Sequence, residues 1–387
     1  MTAPPDHPVP GSDRPHKLVV FGFDAAEAAQ RRRIRAYMEC GFEVSGFTMR
    51  RANMTHDAEP FWPNVDLGQT RNAAMAQRIW RILAALPILW RHHGRLAGAR
   101  TIVARNLDML IIAAAARRMM RPRPRLVYEV LDIHDIMTDG GPGGRLARRV
   151  ERSLLKRTDA IIVSSPAFER EYFGPVQAWT GDVKLLENKL WIGEGVGPDR
   201  PAPDDARTPG RPFVLGWVGT LRCPKSLDIL LEMTDRLGSG VELRLHGIVH
   251  HHMLPDFEQV VAARANVTCH GPYDYPDGLE QIYRGCDAVW VQDLWQWGTN
   301  STWLLPNRIY EAGYFGCPSI AVAGTETGRR VARGLGWTVP EPTADALVSL
   351  LRSLSPEEIV ARRRALLAMP ENSFRQSPEE ITSALLP

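Results

Sequence analysis

The chain has 387 residues, 44% of them hydrophobic and 24% charged, with 47 Lys/Arg against 44 Asp/Glu. That length exceeds what one hydrophobic core serves, so two or three domains are expected; the composition excludes wholesale disorder and a fibrous architecture. The net charge of +3 hides an asymmetry, because residues 1–190 carry 29 Lys/Arg against 20 Asp/Glu and the remainder 18 against 24. A basic half suits an anionic membrane surface, a phosphorylated ligand, or simply solvated helix faces. No nucleic-acid module accompanies the charge, and no nucleic-acid partner is expected.

The first fifteen residues read as a flexible leader, since they hold acids and prolines and no apolar core of a signal peptide. Lys17–Phe23 then forms a strand, Ala25–Cys40 a helix stopped by Gly41, and Phe42–Met49 a second strand. A Trp-rich connection leads to a long helix near Arg71–His93. Within it, Ile79–Trp90 mixes Trp, Arg and apolar residues; packing on a sheet is the simpler reading, and an interfacial helix is its rival. Thr101–Arg105, Arg125–Val130 and Ala160–Ser165 follow as strands, separated by helices at Asp108–Met120 and Arg145–Lys156. Such alternation implies parallel βαβ units in a doubly wound sheet.

Residues 197–212 are rich in Pro, Gly and Asp and read as a linker. Beyond it, strands are expected at Phe213–Val218, Val241–His246, Asn266–Gly271, Ala288–Asp293 and Ser319–Ala323. Helices are expected at Lys225–Leu237, Pro255–Arg264, Asp277–Gly285, Asn307–Phe315 and Thr325–Arg333. The organisation expected is an N-terminal α/β domain over 16–196, a second over 213–370, and a helical tail over 371–387 packing back on the first. No apolar run reaches the roughly 18 residues of a membrane span. Five scattered cysteines without a CxxC pair suggest neither a disulfide framework nor a zinc site. A cytoplasmic protein is expected, with peripheral contact at the inner face of the membrane as an open addition.

The first strand ends Gly22-Phe23-Asp24, which lacks the three glycines of a dinucleotide fingerprint, so a nicotinamide or flavin cofactor is not expected. The strand Phe213–Val218 runs into Gly219-Thr220-Leu221-Arg222-Cys223-Pro224-Lys225, and then a helix begins. A glycine turn, a helix N-terminus and two cations three residues apart make an anion site; a loop with two solvated cations is the bland alternative. A second cluster runs from Gly298 through Asn300, Ser301, Thr302 and Asn307 to Glu311, a lone acid among apolar neighbours. His250–His252 is a weak metal candidate, because consecutive residues converge poorly on one ion. Cys223 reads as a packing residue.

The segments GTLRCPKSLDILL, LPNRIYEAGYFGCPSIAV and GTETGRRVARGLGWTVP, in this order and spacing, resemble nucleotide-sugar glycosyltransferases of the GT-B fold. They look most like the retaining family four. RLVYEVLDIHD, RTDAIIVSSPAF and LLENK resemble the N-terminal domain of such enzymes. The resemblance implies two Rossmann-like domains facing a cleft. It implies that Thr220, Arg222 and Lys225 grip the donor diphosphate, that Glu311 holds the ribose, and that Asn300, Ser301, Thr302 and Asn307 face the donor sugar. Gly271 and Tyr273 would meet the base. Asp24, Asp132 and His134 would orient the acceptor and the transferred sugar. The family's first glutamate is missing, because Trp303 stands eight positions before Glu311.

Breaking an anomeric C–O bond puts negative charge on a leaving diphosphate, which must be stabilised. No Asp-x-Asp pair occurs to hold a metal for this, so Arg222, Lys225 and helix N-termini are expected to act without one. The expected activity is transfer of a sugar from a nucleoside diphosphate to a saccharide or lipid-linked acceptor in polysaccharide or glycolipid assembly. A nucleotide-sugar epimerase and a catalytically silent GT-B-like subunit are the rivals.

Overall fold

The computed structural model describes residues 15–51, 59–70, 75–192, 197–203 and 212–387. Most of the expected leader, and residues 204–211 of the expected linker, lie outside the described residues. By internal contacts the chain forms two units: Met1–Glu187 with Ser377–Pro387, and Asn188–Gln376.

Among the described residues the first unit holds seven strands: β1 (Lys17–Gly22), β2 (Glu43–Arg51), β3 (Asn64–Thr70), β4 (Thr101–Arg105), β5 (Arg125–Val130), β6 (Ala160–Val163) and β7 (Asp182–Leu185). They pair in parallel in the order β3-β2-β1-β4-β5-β6-β7. Leu18 to Phe21 of β1 are fully buried, as a central strand covered on both faces requires. The main crossover helices are α1 (Ala28–Glu39), α2 (Met75–Arg91), α3 (Leu107–Met119) and α4 (Pro142–Leu155). Asn106 caps α3 by accepting from the Met109 N–H at 3.1 Å.

The second unit holds β8 (Phe213–Leu221), β9 (Val241–Val249), β10 (Val267–Gly271), β11 (Ala288–Trp290), β12 (Ser319–Val322) and β13 (Gly336–Val339). Their order is β10-β9-β8-β11-β12-β13, again parallel. β8 sends Phe213, Leu215 and Trp217 into the core on one face of the sheet and Val214 and Val218 into the core on the other. The helices that matter for the site are α5 (Pro224–Leu237), α6 (Asn300–Trp303), α7 (Arg308–Tyr314) and α8 (Glu326–Arg330). The last helix, α9 (Pro378–Leu385), belongs to the first unit and packs against α1. Both strand orders reverse at the centre, between β1 and β4 and between β8 and β11, and open α/β sheets bind ligands at such points.

Three strands, β3, β7 and β13, are missing from the sequence-based expectation, and all three are sheet edges. Their sequences (NVDLGQT, DVKL, GWTV) alternate polar and apolar residues over a short span and lack the apolar runs that betray central strands.

The first unit closes its switch point with buried charge. Glu129 on β5 pairs with Arg33 of α1 and with Arg105 at the end of β4, each at 3.0 Å, and all three side chains are buried. Glu129→Gln would leave two desolvated guanidinium groups without a counter-charge. It should cost this unit about 3–5 kcal/mol. The measurement is a urea titration, in which the first unit's transition moves to lower denaturant and the second unit's stays in place.

Candidate active site

The site in the second unit is built on a close approach of two strands. Gly219 of β8 and Gly247 of β9 are register partners with φ of +113° and +137°. A Cβ on Gly247 would stand 1.7 Å from the Gly219 carbonyl oxygen, so no other residue fits there. Thr220 beyond the turn is exposed, and Arg222 is half-buried. Pro224 opens α5, where its missing N–H costs nothing. Lys225 in that first turn places its ammonium 5.3 Å from the ring centroid of Trp297, a cation–π contact.

Arg308, the first residue of α7, joins the two strands at the switch point. Its Nη1 donates to the Val218 carbonyl at 3.0 Å and its Nε to the Val291 carbonyl, just beyond β11, at 3.1 Å. Burial lowers its pKa; Asp293, Tyr283 and Glu311 oppose that shift, and Arg222 adds to it. A guanidinium stays charged even so. Asp293 supplies the local counter-charge, with Oδ2 4.0 Å from Arg222 Nη2. Its Oδ1 accepts from the Trp295 N–H at 2.9 Å and from the Ser301 hydroxyl. Ser301 is fully buried and its oxygen also accepts from the Gln296 N–H at 2.7 Å. Buried Gln292 ties this loop down by donating to the Ser301 carbonyl at 3.2 Å while accepting from Val322 N–H and the Thr325 hydroxyl, both at 3.1 Å.

Glu311 follows Arg308 by one turn of α7 and is buried, with its Oε2 accepting from the Tyr283 hydroxyl at 2.8 Å. Burial first, then Glu311 and Tyr273, push the Tyr283 pKa well up, so this phenol keeps its proton. Asn307 occupies the N-cap position of α7. Asn300 is the buried first residue of α6, and Thr302 donates to the Thr299 carbonyl at 2.7 Å. Trp303 ends α6, half-buried. Gly271 closes β10 with φ of +71°. Beside it His270 stacks on His246 with ring centroids 4.4 Å apart. Burial, His270 and Arg244 hold the His246 pKa down at about 4.

In the first unit, Asp24 follows β1, while Asp132 and His134 follow β5, on either side of the central strand β4. Asp24 is buried and accepts from the Ala26 N–H at 3.1 Å, forming a turn. Asp132 and His134 are exposed, and His134 Nδ1 accepts from the Ile136 N–H at 3.4 Å. A Cβ on Gly22 would overlap the side chain of Gln30 at 2.2 Å, so this glycine serves helix-to-strand packing.

Three of the second-unit candidates, Arg222, Ser301 and Glu311, therefore lie beside two residues that the motif reading passed over, Asp293 and Arg308. Arg308 lay inside the quoted PNRIYE stretch, and a cation opening a buried helix was its signal. Asp293 is the first acid after the buried run Ala288–Val291. Among the described residues no group of three or more His, Cys, Asp or Glu could hold a metal; His250 and His252 lie with rings 5.4 Å apart. Cys223 packs in the core beside β8 and α5.

Arg308→Lys keeps the charge but cannot span both carbonyls. Leaving one buried carbonyl unmet should cost the second unit about 1–3 kcal/mol, with Arg308→Met costing more, as thermal unfolding would report. His246 makes the second unit acid-sensitive. Between its usual 6.5 and about 4, the unfolded chain takes a proton that the folded imidazole refuses, so stability falls as pH drops through that window. His246→Asn should flatten this part of the stability profile.

Residues 25–188 match the family model described as "Glycosyl transferase 4-like domain". Succinoglycan biosynthesis protein ExoL of Rhizobium meliloti (strain 1021) is 34% identical over 342 residues, which are 88% of this chain and 85% of that protein. Sucrose-phosphate synthase from Thermosynechococcus elongatus superposes with a TM-score of 0.73 at 16% identity, covering 95% of this chain and 96% of that one. HepE from Anabaena, solved in complex with UDP-glucose, superposes with a TM-score of 0.66 at 16% identity, covering 95% and 97%.

Proposed function

Because the chain belongs to the glycosyltransferase 4-like family and has the GT-B fold, we propose that it moves a sugar from a nucleoside diphosphate donor to a lipid-linked saccharide during exopolysaccharide assembly of the succinoglycan type. ExoL supports the pathway class, and the UDP-glucose complex of HepE makes UDP the first nucleotide to test. The observation that carries the reading is the cation cluster at the end of β8, where Arg222, Lys225 and desolvated Arg308 are backed by buried Glu311.

In this reading the donor diphosphate lies against the first turn of α5. Arg222 forks onto its oxygens, Lys225 and the Thr220 hydroxyl add further contacts, and Arg308 contributes charge from beneath through a low-dielectric path. Glu311 accepts from the ribose hydroxyls, held in place by Tyr283. Gly271 and Tyr273 border the base. Asn300, Thr302 and Asn307 meet the sugar, and Ser301 acts through Asp293 because its hydroxyl is already engaged. As the anomeric C–O bond breaks, its electron pair goes to the leaving phosphate oxygen. The acceptor hydroxyl then attacks from the same face and gives its proton to that oxygen, which retains the anomeric configuration. Asp24, Asp132 and His134 orient the acceptor and the transferred sugar. Charge stabilisation comes from side chains, so no divalent cation is required.

Trp303 favours one second reading, a subunit that binds nucleotide without turnover. Thermal unfolding with UDP, GDP, ADP, CMP and TDP separates the two. A diphosphate at a hundred times its dissociation constant should stabilise the protein by about 2.7 kcal/mol, and Arg222→Ala with Glu311→Ala should abolish that. In a transfer assay, Arg222→Ala alone should lower turnover by about a hundred-fold or more. Absence of any shift would sink the donor site. A shift with no transfer to any lipid-linked saccharide would support the silent subunit.

A further inference from the structure

Arg236, Arg264 and Arg329 of the second unit each rest against a carboxylate, that of Asp345, Asp235 and Glu326 in turn. Lys225 is held differently. Its ammonium lies 5.3 Å from the ring centroid of Trp297. The choice of partner matters for a group that is to meet an anion. A carboxylate would cancel the ammonium's charge and occupy its N–H groups, whereas an indole face attracts the cation through its quadrupole and neutralises nothing. Lys225 is an exposed residue in the first turn of α5, and its flexible four-carbon stem has many rotamers to lose when an anion arrives. Resting on the ring restricts it in advance and leaves its charge whole.

Trp297 is itself fixed, through the backbone of its loop. Its neighbour Gln296 donates its N–H to the Ser301 hydroxyl oxygen at 2.7 Å. The Gln296 carbonyl accepts from the Thr299 and Ser301 N–H groups, each at 3.2 Å. Asp293 takes the Trp295 N–H at 2.9 Å together with the Ser301 hydroxyl, and buried Gln292 donates to the Ser301 carbonyl at 3.2 Å. The bonds that fold the 293–301 loop therefore converge on the residues either side of Trp297. Yet the tryptophan is 40% exposed, so its side chain is not there to fill the core. A firmly tied loop that presents a large aromatic ring to a cation is the arrangement expected of a support behind a binding group.

We propose that Trp297 is a positioning residue for the donor diphosphate: its ring holds the Lys225 ammonium ordered and fully charged, so that the anion meets a cation already in place. Trp297 touches neither the diphosphate nor a reacting atom in this role and acts only through Lys225. The proposal rests on the reading that Lys225 contacts the diphosphate, and the experiment separates the two.

The test is a double-mutant cycle on the full chain, read by calorimetric titration with UDP, GDP and ADP and followed with the tightest binder. Trp297→Leu keeps an apolar side chain but removes the ring, and should weaken binding by about two- to five-fold. Trp297→Phe should restore most of that loss. In a Lys225→Met background, Trp297→Leu should have no further effect. The contact can also be read without nucleotide. In protein labelled with 5-fluorotryptophan, Trp297→Phe removes one of the 11 tryptophan resonances, and that resonance should move on Lys225→Met. A loss of affinity that persists undiminished in the Lys225→Met background overturns the proposal, since the ring would then act by another route. Trp297→Leu binding as tightly as wild type, while Lys225→Met binds weakly, overturns it and leaves the donor site standing. Wild type that binds none of the three diphosphates overturns the donor site and the positioning role together.

Discussion

A half-buried guanidinium bridges the second sheet at the point where its crossovers part. Helices leave β8 and β11 in opposite directions, so the carbonyl groups at those strand ends have no natural partner across the gap. Arg308 takes one from each side. Lysine has no comparable fork, and a neutral side chain would leave two buried acceptors unmet. Everything proposed for the donor follows from that bridge. Arg308 brings a positive charge to the end of β8, and one turn later the same short helix delivers Glu311, a negative one. Two groups of opposite sign therefore reach one spot from a single rigid element, which fixes their spacing better than any loop could.

The two units use buried charge in different ways. In the first, Glu129 is matched by Arg33 and Arg105, while Glu151 accepts from the Tyr128 and Tyr172 hydroxyls and from the Gln177 amide. Both sets close on themselves and read as framework. In the second, Arg308 has Asp293 and Glu311 as neighbouring acids, Arg222 comes within 4.0 Å of Asp293, and Lys225 rests on a tryptophan ring instead of a carboxylate. Under the proposed function the donor diphosphate would complete this set of cations, whereas the first unit's network needs no ligand.

Much of this was legible in the residues. Central strands announce themselves as apolar runs because both faces are covered, and β1, β4, β5 and β8 were found that way. The glycine turn at Gly219 and the Arg222–Lys225 spacing are visible in the order of residues along the chain, while the interest of Glu311 rests on the family resemblance. Arg308 was harder, because its role is set by two carbonyls from distant strands and backbone acceptors leave no trace in a sequence. Asp293 depends likewise on how the 293–301 loop folds back. The outer face of α2 was visible as a mixture of Trp and Arg, but only the fold separates the residues that pack inward from those left outside.

The polarity that hides the edge strands has a use of its own. β7 is a short run of Asp182, Val183, Lys184 and Leu185 with one side unpaired. Asp182 is engaged by Arg125 at 3.1 Å and by Lys184 at 3.3 Å. An open parallel sheet offers its rim to any extended chain, and an approaching strand would have to strip water from these charges to pair there. The same residues that make the edge look like loop also stop the sheet from recruiting an eighth strand. The sheet thereby stays finite, and misfolded neighbours are denied a template.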